Sequence, residues 1–91
     1  MPSIEVQLPS VWRTTATGDR VRVDAISPRD ALRLVGLQHP DVRRHLLADD
    51  GEPRRFIRVF RGDRDIRLCG GWDAPLDDGE LLTVISAVAG G

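Results

Sequence analysis

Lysine is absent from this 91-residue chain; all thirteen basic side chains are arginine. No side-chain ε-amine is therefore available as an acyl acceptor in a sister molecule, since a guanidinium stays protonated. Cysteine occurs once, at Cys69, which excludes an internal disulfide and gives no sign of an oxidising compartment. With no second cysteine beside it, Cys69 is not expected to handle sulfur. Apolar runs fall far short of the roughly 20 residues that cross a bilayer, so no membrane partner is expected. Residues 1–5 lack the basic region followed by an apolar one that marks a secretory signal, and a cytoplasmic location is the expectation. Excess positive charge is missing too: the formal net charge is −1 at pH 7, which excludes nucleic acid as the main partner because few counterions would be displaced. His39 and His45 lie six residues apart, not at the i, i+4 spacing that puts two imidazoles on one helical face, and no metal site is assigned. No nucleophile–base pair or phosphate-binding loop is present, so the chain is not expected to be an enzyme.

The most distinctive stretch that is present comes last. Residues 86–91 read Ser-Ala-Val-Ala-Gly-Gly, six small uncharged residues. Glycines without a Cβ let a backbone enter a narrow channel at whatever φ it needs. Six extended residues reach at most roughly 20 Å, enough to set a terminal carboxylate deep in a partner. Because none of the six is charged, insertion desolvates only the end group. The expected division is one domain over residues 1–85 and a flexible tail over residues 86–91.

Upstream, the pattern is mostly extended. Ile4, Val6 and Leu8 alternate with polar residues, the period of a half-buried strand, and Pro9 interrupts pairing. Val11 and Trp12 are read as continuing that extended segment, residues 14–19 as a turn, and residues 20–26 as the returning strand of a hairpin. Ser27, Pro28 and Asp30 form a helix start with N-cap, first-turn proline and first-turn acid in order. Ala31, Leu32, Leu34 and Val35 make its apolar stripe, and Gly36 is read as its fraying end. A second short helix is expected over residues 40–47. Extended segments follow at residues 54–60, 66–68 and 81–85, separated by turns. A hairpin, a crossover helix and return strands define an α+β, β-grasp fold, a mixed sheet wrapped over one main helix with its first and last strands parallel at the centre.

Val84-Ile85-Ser86-Ala87-Val88-Ala89-Gly90-Gly91, preceded by Asp77-Asp78-Gly79-Glu80, resembles the ending of ubiquitin-like sulfur carrier proteins, a family that includes the molybdopterin synthase small subunit and the thiamin-pathway carrier. Phe56-Ile57-Arg58-Val59-Phe60, Asp63-Arg64-Asp65-Ile66-Arg67, Gly70-Gly71, Leu8-Pro9 and Thr17-Gly18 look like the carrier of actinobacterial cysteine biosynthesis. Ser86 stands where these carriers commonly have proline. The resemblance implies that a ubiquitin-activating-like enzyme adenylates the Gly91 carboxylate with ATP. Sulfur from a rhodanese- or desulfurase-type donor then displaces AMP and leaves a thiocarboxylate, a better nucleophile than a carboxylate by the softness that makes thiolates reactive. The acceptor would be a biosynthetic enzyme, in the cysteine branch a pyridoxal phosphate-dependent synthase holding an aminoacrylate, or one serving a specialised metabolite. The carrier itself binds no cofactor. Three other readings stand beside this one: a protein modifier joined through Gly91 to target lysines, the molybdopterin synthase small subunit, and a plain interaction module with incidental glycines.

Gly91 is thus the expected reacting residue. Val88, Ala89 and Gly90 would line the partner's channel, while Phe60, Leu81 and Ile85, in the outward phase of their strands, would form an apolar docking patch. Arg54, Arg55, Arg58 and Arg64 are read as a solvated face, with steering of an acidic partner as the alternative. Trp12 and Trp72 are read as packing residues.

Overall fold

The computed structural model describes residues 1–87. The hairpin forms as the alternation requires. Strand β1 (Ser3–Gln7) pairs antiparallel with β2 (Arg20–Asp24), placing Ile4 opposite Val23 and Val6 opposite Val21 on the buried face. Its connection is closed by reciprocal bonds in which the Thr14 amide donates to Thr17 Oγ1 at 2.8 Å and the Thr17 amide donates to Thr14 Oγ1 at 3.1 Å. Val11 and Trp12 do not stay extended. Residues Ser10–Trp12 form a 3-10 turn in which the Trp12 amide donates to the Pro9 carbonyl at 3.0 Å. That tuck buries the Trp12 indole and stacks it on His45 at 5.1 Å between ring centroids. Ile26, expected at the end of the returning strand, lies beyond β2 and is exposed.

Helix α1 (Pro28–Gln38) begins as expected, with Ser27 Oγ accepting the Asp30 amide at 3.2 Å and Pro28 in the first turn. Ala31, Leu32 and Val35 are fully buried against the sheet. Gly36 does not end the helix, which runs on to Gln38. Instead it is buried where α2 (Pro40–Leu46) crosses, and a Cβ at this position would stand 2.9 Å from Arg43 Cγ. Close approach of two helices, rather than a left-handed cap, is what needs the glycine here.

The remaining strands are β3 (Ile57–Arg61), β4 (Arg64–Asp65) and β5 (Leu81–Ser86). The sheet order is β2-β1-β5-β3-β4, with β1 and β5 parallel at the centre and β3 antiparallel to β5. This is the mixed sheet of a β-grasp fold. The return strand expected at residues 66–68 is a 3-10 turn, because the Asp65 carboxylate accepts the Arg67 amide at 2.9 Å and caps it locally. Strand β5 runs one residue past the expected end, and the Ala87 amide donates to the Phe56 carbonyl at 2.7 Å. Ile4, Val6, Val59, Leu82 and Val84 face α1 and α2 across one core.

Candidate functional site

Strand β5 organises the site. Its start is tied to β1 by three bonds: the Gly79 amide to the Ser3 carbonyl at 2.7 Å, the Ser3 amide to Asp78 Oδ1 at 2.8 Å, and the Glu5 amide to the Glu80 carbonyl at 3.0 Å. Gly79 sits at φ +87°, a left-handed conformation that L side chains rarely adopt, so the tight turn depends on it. Glu80 locks the same turn from the side, accepting the Asp77 amide at 3.2 Å and pairing in bidentate fashion with Arg61 on β3. The Arg61 guanidinium holds the Glu80 carboxyl below its ordinary value, and burial opposes that shift. With both partners only 20% exposed, the pair clips β5 to β3.

From that fixed start the side chains alternate. Leu82 and Val84 enter the core, while Leu81, Thr83 and Ile85 face outward. Register then brings together residues distant in sequence. Phe60 stands opposite Thr83, and Arg58 opposite Ile85, on β3; Glu5 stands opposite Leu81 on β1. Phe60, Leu81 and Ile85 therefore share the outer face around Thr83, as their phase suggests. Ile85 is 44% exposed, and Phe60 and Leu81 are half-buried.

Charges flank this apolar centre on both sides. On β1 and β2, Glu5 accepts from Arg20 at 3.2 Å and from Arg22 at 3.4 Å, and the Arg20 hydrogen bond, then that of Arg22, keeps its carboxyl below the ordinary range. On β3 and β4, Asp65 pairs with Arg67 at 2.9 Å and with Arg58 at 4.0 Å, and the Arg67 hydrogen bonds lower its pKa. Charged pairs thus rim an apolar centre on the outer face. Neither the Glu5–Arg20/Arg22 pairs nor the Arg61–Glu80 clip carries a local sequence signal, because each joins residues whose neighbourhood only the register reveals.

Beyond Ala87 the expected tail residues Val88, Ala89, Gly90 and Gly91 lie outside the described residues. The Ser86 hydroxyl is buried without a hydrogen-bond partner among the described residues. Trp12 is a packing residue, and Trp72 is half-buried against the core. Cys69 is a half-buried free thiol. Among the described residues no group of three or more His, Cys, Asp or Glu could hold a metal ion, and no helix is long and apolar enough to cross a membrane.

A central parallel strand pair, one main helix beneath and an apolar outer face beside the last strand define a ubiquitin-like protein of β-grasp type. No family model matches the chain. Over 41 residues it is 39% identical to the sulfur carrier protein CysO of Mycobacterium tuberculosis, a match that covers 45% of this chain and 44% of that protein. The chain thus matches less than half the length of these curated relatives. A chain of the Amycolatopsis orientalis BexX/CysO complex is 31% identical, with a TM-score of 0.78 and coverage of 97% of this chain and 99% of that one. SAMP1 from Haloferax volcanii is 27% identical, with a TM-score of 0.79 and coverage of 98% and 99%. The chain belongs to the ubiquitin-like sulfur carrier family.

Proposed function

We propose that this chain is a cytoplasmic sulfur carrier that works at the carboxylate of Gly91. A carboxylate is a poor electrophile. An activating enzyme would join Gly91 to AMP, releasing pyrophosphate from ATP, and sulfide supplied by a sulfur donor would expel AMP to leave the C-terminal thiocarboxylate. The sulfur then attacks a substrate held on a biosynthetic enzyme, and hydrolysis of the resulting acyl link returns Gly91 as the carboxylate. The chain serves as a protein-bound reagent, a cosubstrate rather than a catalyst. The observation that supports this reading is the placement of β5, held between β1 and β3 and followed directly by the small uncharged residues that end in Gly90 and Gly91. The outer face formed by Phe60, Leu81 and Ile85 would dock the activating enzyme, and Val88, Ala89 and Gly90 would occupy its channel.

A second reading, a modifier joined through Gly91 to lysines of other proteins, is favoured by the likeness to the archaeal SAMP1, whose full name is small archaeal modifier protein 1. Mass spectrometry of protein purified from its native host separates the two. Cleavage after Arg67, the last arginine, releases residues 68–91 as one peptide. Replacement of one oxygen by sulfur in that peptide is the expected result. Branched peptides carrying residues 68–91 on foreign lysines would favour the modifier. An unmodified peptide under sulfur limitation, with all partners expressed, refutes both.

A further inference from the structure

Strand β4 pairs only with Phe60 and Arg61, so no strand flanks the first three residues of β3 on that side. A groove of about 280 Å³ opens there, and Arg54, Arg55, Arg58 and Arg67 line it with Trp72; its one carboxylate is Asp65. Three of these arginines are held in place by neighbouring groups. The Arg54 Nε donates to the Arg44 carbonyl at 2.6 Å, which fixes its guanidinium at the C-terminal end of α2. Arg67 is bound through two nitrogens to Asp65, at 3.2 and 2.9 Å, and Arg58 approaches the same carboxylate at 4.0 Å. Asp65 is 14% exposed, so it acts as a half-buried anchor that arranges two cations while they face solvent. Among the described residues neither Arg54 nor Arg55 takes part in an ion pair.

The groove opens at a particular end of the sheet. Because β5 and β3 are antiparallel, with Ser86 opposite Ile57 and the Ala87 amide bonded to the Phe56 carbonyl, the strand carrying the candidate reactive end leaves the sheet beside Arg54 and Arg55. A protein that takes the C-terminal residues would approach this end of the sheet. We propose that the groove receives a carboxylate-rich segment of that partner protein, with glutamate or aspartate side chains pairing with Arg54, Arg55, Arg58 and Arg67 beside the Trp72 indole. This assignment rests on the carrier reading above. Pre-organised guanidinium forks match carboxylates in bidentate geometry, and a cation cluster beside a docking site speeds encounter with an acidic surface.

The test is an amide chemical-shift titration of the full isotope-labelled chain with a capped hexaglutamate peptide at low salt. Saturable shifts confined to residues 54–58, 65–67 and 72 are expected. The double variant R55E/R58E should weaken binding at least about tenfold, whereas R22E/R33E, with the same change in net charge, should stay within about twofold. R55Q/R58Q gives the same readout without charge reversal, and the dispersion of each spectrum reports folding. A chain ending at Ala87 should bind the peptide equally well, so the outcome does not depend on whether Gly91 is ever activated. Shifts spread over all exposed arginines, equal loss in R22E/R33E, or tighter binding of inorganic tripolyphosphate at the same amides would overturn the proposal.

Discussion

Replacing Ile85 with alanine separates docking from folding. Its side chain lies on the outer face opposite Arg58, and the residue is 44% exposed, so little more than half of its surface is withdrawn from water. Full burial of such a side chain is worth about 1.5–3 kcal/mol, so truncation here removes about 1 kcal/mol. Loss of the β-branched residue adds up to about 0.5 kcal/mol. For a domain of this size that corresponds to a melting point lower by about 4–10 °C. Leu82, three residues earlier on the same strand and 0% exposed, sets the contrast: truncation to alanine should cost about 2–5 kcal/mol, by transfer and cavity together. If the outer face docks the activating enzyme, Ile85→Ala should behave as an interface anchor, losing about 2 kcal/mol of binding, or about 30-fold in kcat/KM. Leu82→Ala, assayed well below its own melting point, should keep kcat/KM within about threefold despite its greater instability. The assay is ATP–pyrophosphate exchange by the native host's activating enzyme, with the carrier varied. Unchanged kcat/KM in Ile85→Ala and in Phe60→Ala would refute the docking assignment.

Two further predictions concern pH and the clip at the start of β5. Glu80 has a folded pKa below its ordinary value of 4.5, chiefly through its hydrogen bond to Arg61, so its stabilisation is present above that value and is lost as pH falls through the folded one. Glu80→Gln should cost about 1–3 kcal/mol at neutral pH and remove that part of the acid slope in urea denaturation. His45 also titrates below its ordinary 6.5, first because burial against Trp12 disfavours its charge, then through Arg44 and Arg54. The unfolded chain takes the proton first, so stability should be full above pH 6.5 and decline as pH drops below it. His45→Gln should flatten that dependence, read as urea midpoints on either side of the transition.

Strand phase was legible because one buried face imposes strict alternation, and Ile4, Val6, Leu82 and Val84 obey it. The start of α1 was legible because Ser27 and Pro28 act on their own backbone. What failed depended on contacts that strand and helix periodicity does not encode. Gly36 reads as a helix end to any local rule, yet its role is set by Arg43 on the next helix. Trp12 looked extended because nothing nearby announces that His45, 33 residues later, will offer a stacking surface. Ile66 lost its strand to the Asp65 side chain, a local competitor for the backbone. The outer patch could be assigned by parity alone. The arginine groove could not, since Arg67 joins Arg54, Arg55 and Arg58 only through the short hairpin and its capped turn.

The position of β5 also has a mechanical meaning. A strand at the edge of a sheet peels away one bond at a time when its end is pulled, but β5 is bonded on both sides, in parallel to β1 and in antiparallel to β3. Tension applied beyond Ala87 runs along the strand axis and loads both ladders in shear, so many bonds must yield together. A partner gripping the chain by this end can therefore haul on it, or release it, without unravelling the body to which it is attached.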